Sequence, residues 1–133
     1  FKFKKLFLGD SGSLLLGFLV AFILIFLGNQ NNIHPILLAF SVSIFAYEFL
    51  AINLLRLRNN QSPFKAGRDH LHYMLLKKTK SIFKTNCYLS FLNIFIFFIG
   101  YFSFIYFGSL LSLILFIFLF FIYLILRETF KGV

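Results

Sequence analysis

The stretch SGSLLLGFLVAFILIFLG, from Ser11 to Gly28, decides the fold of this chain. It carries no charged residue and is close to the roughly 20 residues that a helix needs to cross ~30 Å of hydrocarbon. Three more apolar runs of similar length follow, at residues 33–55, 87–106 and 109–126. The sequence therefore predicts an all-α integral membrane protein with about four transmembrane helices and a cytoplasmic loop, residues 56–84, between the second and third. That loop has half-apolar spacing after Asp69, which predicts an interfacial helix capped by Asp69 and ending near Lys80.

The composition excludes a small soluble domain. The chain has 133 residues, of which 60% are hydrophobic, and a mean hydropathy of +0.91. A soluble fold could not bury four such runs and still present a polar surface. The net charge of +9 does not predict a nucleic-acid partner, because the basic residues flank the apolar runs and form no stripe with exposed aromatics.

The charge distribution predicts an orientation in the membrane. When the four runs are threaded up and down, all 13 lysines and arginines fall on one side. The other side has only residues 28–32 and a tight turn near Gly108, and neither carries a charge. Because positive loops stay in the cytoplasm, the basic side is predicted to be cytoplasmic. The same basic residues are expected to contact anionic membrane lipids.

A first candidate site is Gly9-Asp10-Ser11-Gly12-Ser13, at the start of the first apolar run. The unpaired N–H groups and positive dipole of a helix N-terminus favour a phosphate, and a carboxylate there could hold Mg²⁺. The same residues also suit an ordinary helix cap before a transmembrane segment. Taken alone, this cluster leaves both interpretations open.

A second candidate site lies in the loop, from Ser62 to His72. Arg68 could hold a diphosphate bidentately, with the imidazoles of His70 and His72 as donors. The two histidines point the same way only if Leu71 is extended, since in a helix they diverge by about 200°. A solvated loop with boundary histidines remains the alternative.

Glu48 is an acid within the second apolar run, where a charge is costly and is usually paired or functional. It could neutralise Arg56, extend to the surface, or line a cavity with Asp10. His34, on the opposite side of the membrane, is expected to be an interfacial residue with no catalytic part. The last two apolar runs carry only weakly polar residues (Asn93, Ser103 and Ser112) and are predicted to be structural scaffold.

Together, the two clusters resemble the polyprenyl-phosphate N-acetylhexosamine-1-phosphate transferases. The family's F-x-G-D-x-G-S element is present as Phe7–Ser13, and its S-P-F…R-D-H-x-H-H element as Ser62–Phe64 followed by Arg68–Tyr73. The second element is more similar to the branch that transfers N-acetylglucosamine-1-phosphate. The resemblance covers nearly the whole chain but only the C-terminal part of such an enzyme, so the piece alone is expected to be inactive.

The resemblance implies roles for individual residues. Asp10 would bind Mg²⁺, for which Mn²⁺ could substitute, and would act in catalysis together with His70 and His72. Two positions depart from the family: Tyr73 replaces its final histidine, and Glu48 stands where relatives often have Asp. The residues implied in substrate binding are Ser11, Gly12, Ser13, Lys65, Arg68 and Asp69.

The implied reaction moves a sugar-1-phosphate from a UDP-sugar to undecaprenyl phosphate and begins the synthesis of a cell-envelope polysaccharide such as lipopolysaccharide. The implied location is the bacterial cytoplasmic membrane, with Asp10 and the 56–84 loop inside, and a homo-oligomer is compatible with the sequence. Two other functions stay open at this stage. One is a transporter or channel segment in which Glu48 relays an ion, and the other is a non-catalytic membrane scaffold, for which Tyr73 argues.

Overall fold

The structure, a computed structural model, describes residues 9–30, 33–62 and 70–131, with side chains up to residue 128. These residues form helices α1 to α5 and contain no strand, which confirms the all-α prediction. Phe7 and Leu8 of the first motif lie outside them. The helices are α1 (Gly9–Asn29), α2 (Pro35–Ser41), α3 (Ser43–Arg58), α4 (Leu71–Thr79) and α5 (Ile82–Lys131).

Among the described residues, two helices are long and apolar enough to cross a membrane: α1, and α5 over Ile82–Glu128. A third span results if α2 and α3 are counted together, although their axes differ by 76°. The chain is therefore a membrane protein with two or three such helices. The count of four spans stays a prediction, because one predicted span is bent and two others are merged in α5.

Helix α5 is interrupted at Gly108, where the sequence predicts a turn. Gly108 has φ 78° and ψ −175°, a conformation essentially restricted to glycine. The hydroxyl oxygens of Ser103 and Ser112 lie 3.2 Å apart, whereas nine residues along a straight helix would separate them by about 13 Å. Residues 82–107 (the first arm) and 109–131 (the second arm) therefore fold back on each other as a hairpin.

The bend between α2 and α3 is stabilised by Asn93 of the first arm. Its side-chain amide donates to the Ser41 carbonyl (2.8 Å), and its side-chain oxygen accepts from the Ser43 hydroxyl (3.1 Å) and the Ile44 N–H (3.2 Å). Backbone groups freed by a break inside a membrane must find partners within the protein. Asn93 supplies them, so it holds the bend against the hairpin.

The core lies where this bend meets the hairpin. Phe40 is fully buried and packs edge-on against Phe116 of the second arm. On its other side a Cβ built on Gly100 would lie 2.3–2.5 Å from the Phe40 ring, so only glycine permits this approach. Tyr47 is also fully buried and donates its hydroxyl to the Phe116 carbonyl (2.7 Å).

Helix α1 differs from the rest, because it has no buried residue. Its side chains are exposed along its length, with Leu14 at 74% and Phe18 at 65%. Only its C-terminal end approaches α2, where Gly28 lies close to Leu38. Exposed apolar side chains cost nothing in lipid, so α1 is compatible with a span that packs weakly on these helices.

Candidate functional site

Glu48 joins three helices at one end of the bundle. One carboxylate oxygen accepts the backbone N–H of Leu71 in α4 at 2.7 Å. The other accepts the hydroxyl of Tyr123 in the second arm and lies 3.7 Å from Nε of Arg127. We call Glu48, His70, Leu71, Tyr123 and Arg127 the Glu48 cluster.

The local sequence explains how this cluster assembles. Tyr123 and Arg127 are four residues apart, so they lie on the same face of the second arm. Arg127 is 3% exposed, and a buried guanidinium requires a carboxylate to compensate its desolvation. Glu48, whose side chain is 14% exposed, supplies that carboxylate from α3.

Glu48 also replaces the cap expected at α4. The sequence predicts that Asp69 caps this helix, and Asp69 lies outside the described residues; the structure has His70 at the N-cap position, and its side chain makes no capping hydrogen bond. The first N–H of α4 instead bonds to Glu48, a residue distant in sequence. A carboxylate at a helix N-terminus satisfies an unpaired N–H and complements the helix dipole.

The two loop histidines lie side by side next to Glu48. His70 is extended (φ −69°, ψ 145°) and immediately precedes α4, so His72 stands in the first turn. Their rings stack with centroids 5.4 Å apart, and Nδ1 of His70 lies 3.6 Å from the Glu48 carboxylate. Tyr73, which stands where the resembled transferase family has a histidine, packs on His72 with ring centroids 4.2 Å apart.

The electrostatics favour a neutral His72. Burial lowers the pKa of His72 from its ordinary value, the nearby His70 lowers it further, and Glu48 raises it in part. A neutral imidazole can both donate and accept a hydrogen bond, which suits a role beside a substrate.

The surroundings of Asp10 are different. Asp10 and Ser11 are exposed at the N-terminus of α1, and the Ser13 hydroxyl donates to the Asp10 carbonyl (2.9 Å). Within residues 9–30, 33–62 and 70–131, no hydrogen bond or ion pair joins Asp10 to His70 or His72. The expected meeting of the two motifs therefore stays a prediction, and so does the role of Gly12.

The other predicted substrate contacts cannot be placed. Lys65, Arg68 and Asp69 lie outside the described residues. Among the described ones, no group of three or more His, Cys, Asp and Glu side chains could hold a metal. Asp10, as a single carboxylate, still fits Mg²⁺, because this ion is commonly bound by one or two carboxylates together with waters and substrate phosphates.

A small polar cavity of about 180 Å³ lies beside the cluster. Arg56 and Arg127 both line it, together with Asn59 and Gln61, and Arg56 is 9% exposed. Two mostly buried guanidinium groups thus lie at this end of the bundle, and Glu48 pairs with that of Arg127.

Sequence reasoning missed Tyr123, Arg127 and Asn93 as organising residues. The sequence predicts the last two apolar runs to be scaffold only. In the structure, Asn93 of the first run bonds to the bend between α2 and α3, and Tyr123 of the second run, with Arg127 just after it, contacts Glu48. The available signal was Arg127 at the end of the final run with Tyr123 one turn earlier. From the sequence alone, an arginine at this position is expected to orient the helix and to contact anionic lipids.

Comparisons with known proteins test the family resemblance. No family model matches the chain, and no solved structure matches it significantly. Proteins named undecaprenyl-phosphate alpha-N-acetylglucosaminyl 1-phosphate transferase do match it: those of Yersinia pestis and Escherichia coli K12 are each 36% identical over 75 residues, and that of Pasteurella multocida is 33% identical. The chain is similar to these transferases.

The match confirms the resemblance that the two motifs predict. It covers 55% of this chain but only 20% of the Y. pestis and E. coli proteins and 21% of that of P. multocida. The chain thus spans about a fifth of the length of the curated relatives it matches.

Proposed function

We propose that the enzyme containing this chain transfers N-acetylglucosamine-1-phosphate from a UDP-sugar to undecaprenyl phosphate. The similarity to the transferases of Y. pestis and E. coli carries this proposal. Both family motifs, at Phe7–Ser13 and Ser62–Tyr73, support it. Residues 1–133 alone are proposed to be inactive, since the 75 residues that match cover only 20% of the Y. pestis and E. coli enzymes.

In the proposed reaction, an oxygen of undecaprenyl phosphate attacks the β-phosphorus of the UDP-sugar. A new P–O bond forms, the bond to the bridging oxygen breaks, and UMP leaves with that oxygen. Asp10 would hold Mg²⁺ together with diphosphate oxygens, and the ion would neutralise charge on the diphosphate. The site belongs at the membrane boundary, because the acceptor phosphate lies at headgroup depth.

The N-terminus of α1 is proposed to bind phosphate oxygens. Unpaired N–H groups of its first turn, from Ser11, Gly12 and Ser13, would donate to them. Gly9 and Gly12 leave room for the ligand to approach the backbone. The exposure of Asp10 and Ser11 agrees with a site that a soluble nucleotide sugar enters.

The start of α4 is proposed to bind the nucleotide diphosphate. His70 and His72 would donate to it or carry a proton, while Lys65 and Arg68 would neutralise it and Asp69 would contact the substrate. The stacked rings of His70 and His72 agree with one ligand reaching both. Glu48 acts here as a positioning residue, because it fixes the N–H of Leu71 and lies beside His70.

The proposed location is the bacterial cytoplasmic membrane, with Asp10 and α4 on the cytoplasmic side. All 13 lysines and arginines fall on that side when the predicted spans are threaded. UDP-sugars are made in the cytoplasm, so the proposed donor would reach both motifs there.

The test is a transfer assay in membranes that contain the complete protein. Membranes receive UDP-N-acetylglucosamine with a labelled sugar and undecaprenyl phosphate, with Mg²⁺ or with a chelator. We expect Mg²⁺-dependent label in the lipid fraction and a loss of about 100-fold or more in Asp10→Asn. Glu128→Gln, which removes an exposed carboxylate at the end of α5, is the matched control and should keep the activity. Undiminished transfer by Asp10→Asn would remove Asp10 from the mechanism, and an absence of labelled lipid would contradict the proposal.

A further inference from the structure

A cleft separate from the Glu48 carboxylate lies between α4 and the hairpin. Its volume is about 720 Å³. Leu71 and Leu75 of α4 form one wall, and Leu89 and Leu92 of the first arm form the facing wall. Leu126 of the second arm also lines it, so the interior is apolar.

One end of this cleft is cationic. Lys78 of α4 and Lys84 of the first arm both line it, and both are exposed to solvent. The chain turns between these two helices at Lys80, whose left-handed conformation (φ 53°) ends α4, and both lysines line the same cleft on either side of this turn. Thr79 lies between them, and its hydroxyl is bonded to Thr85 at 2.8 Å. The turn is thereby tied to the first arm.

The position of the cleft matches the depth of a lipid. Lys84 stands three residues before the apolar run 87–106, so its ammonium group lies at the boundary where headgroup phosphates are found. One apolar wall, formed by Leu89 and Leu92, belongs to the run 87–106, and α4, the helix of the 56–84 loop, forms the other wall at the boundary. The lining therefore suits a ligand that combines an anionic group with an apolar chain.

We propose that this cleft binds one anionic phospholipid of the bilayer, with its phosphate between Lys78 and Lys84 and one acyl chain between α4 and the first arm. Charge complementarity selects this occupant. A zwitterionic lipid would place a second cation beside the two lysines, and free phosphate would leave the apolar walls in contact with water. The inference does not depend on the proposed transferase activity.

A lipid bound in this cleft would stabilise the start of α4, which belongs to the second motif. Leu71 contributes its side chain to the cleft and its N–H to Glu48. A lipid packed on Leu71 and Leu75 would therefore hold α4 against the hairpin. The melting temperature should then rise with anionic lipid.

Cys87 allows the binding to be measured directly. It is the single cysteine of the chain, it is exposed, and it lines a neighbouring surface together with Lys84 and Tyr88. The protein is labelled at Cys87 with a fluorophore and placed in phosphatidylcholine nanodiscs. Quenching is compared for phosphatidylglycerol and phosphatidylcholine that carry the same nitroxide on the acyl chain, at equal mole fractions.

We expect phosphatidylglycerol to be enriched roughly fivefold over phosphatidylcholine at Cys87, and this preference to disappear in Lys78→Gln/Lys84→Gln. The matched control Lys77→Gln/Lys80→Asn removes two exposed lysines that do not line the cleft and should keep most of the preference. Asn suits the left-handed position of Lys80.

Three results would overturn the proposal. One is equal quenching by the two lipids, and another is an equal loss in both double variants, which would indicate general attraction to the basic surface. The third is displacement of phosphatidylglycerol by inorganic phosphate alone, which would indicate an anion site without an acyl chain. A melting temperature that rises with phosphatidylglycerol in the wild type and the control, but not in Lys78→Gln/Lys84→Gln, would support the proposal independently.

Discussion

His70 precedes a helix whose first N–H is bonded to Glu48, whereas Asp10 stands at the start of a helix of which no residue is buried. Both residues lie in motifs that resemble those of one transferase family. The second motif is built from long-range contacts, because α3, α4 and the second arm all meet at one carboxylate. The first motif is local, since Ser13 bonds to Asp10 within a single turn.

This difference shows which contacts make helices associate within a membrane. Apolar side chains gain little by leaving lipid for another helix, so polar contacts and close packing decide which helices associate. The Glu48 cluster and Asn93 provide such contacts for α2 to α5. Helix α1 has no buried residue among those described, so it has no buried face that could provide such contacts.

The largest contrast is expected between two phenylalanines. Phe40→Ala should destabilise the protein by about 3 kcal/mol, because it leaves a cavity between Gly100 and Phe116. Phe18→Ala in α1 should change stability by less than about 0.5 kcal/mol, since its ring is 65% exposed. Unfolding by sodium dodecyl sulfate in mixed micelles measures both. Equal losses would show that α1 is packed as tightly as the hairpin.

Glu48→Gln should have the next largest effect on stability, about 2 kcal/mol. Gln can still accept from Leu71, but it no longer compensates the charge of Arg127. Glu128→Gln, which removes an exposed carboxylate, should be nearly neutral in the same micelle titration. A loss for Glu128→Gln as large as that for Glu48→Gln would mean that net charge, and not the cluster, is responsible.

Asn93→Leu should cost about 1 kcal/mol, because it removes three hydrogen bonds at the bend while keeping a similar volume. Ser90→Ala, on an exposed position of the same arm, is the control. Hydrogen exchange at Ile44 should also accelerate in Asn93→Leu alone. Unchanged exchange would show that the bend does not depend on Asn93.

His72 is expected to give the smallest effect, which depends on pH. Its folded pKa is lowered, so the unfolded chain binds a proton more readily and stability falls as pH drops through the ordinary value of about 6.5. Titration of the His72 ring signals by NMR should give a midpoint below that value. Glu48→Gln should lower the midpoint further, because Glu48 raises this pKa. A midpoint at or above the ordinary value would contradict the described surroundings.

The sequence alone predicts the helical membrane fold, the break at Gly108 and the two family motifs, because each depends on composition or on neighbouring residues. It does not predict the partners of Glu48. Hydropathy places Glu48 at the inner end of a span, but its contacts with Leu71 and Tyr123 depend on how distant helices pack. The role of Asn93 is not predicted either, since the groups to which its side chain bonds lie in α2 and α3.

We propose that Asp10 and His70 bind the same magnesium nucleotide sugar. The most direct test is a double-mutant cycle on the binding of UDP-N-acetylglucosamine with Mg²⁺ to the complete protein, using Asp10→Asn, His70→Asn and the double variant. The claim predicts a coupling energy above about 0.5 kcal/mol. Additive losses within about 0.3 kcal/mol, like those expected for Asp10→Asn with Glu128→Gln, would contradict it.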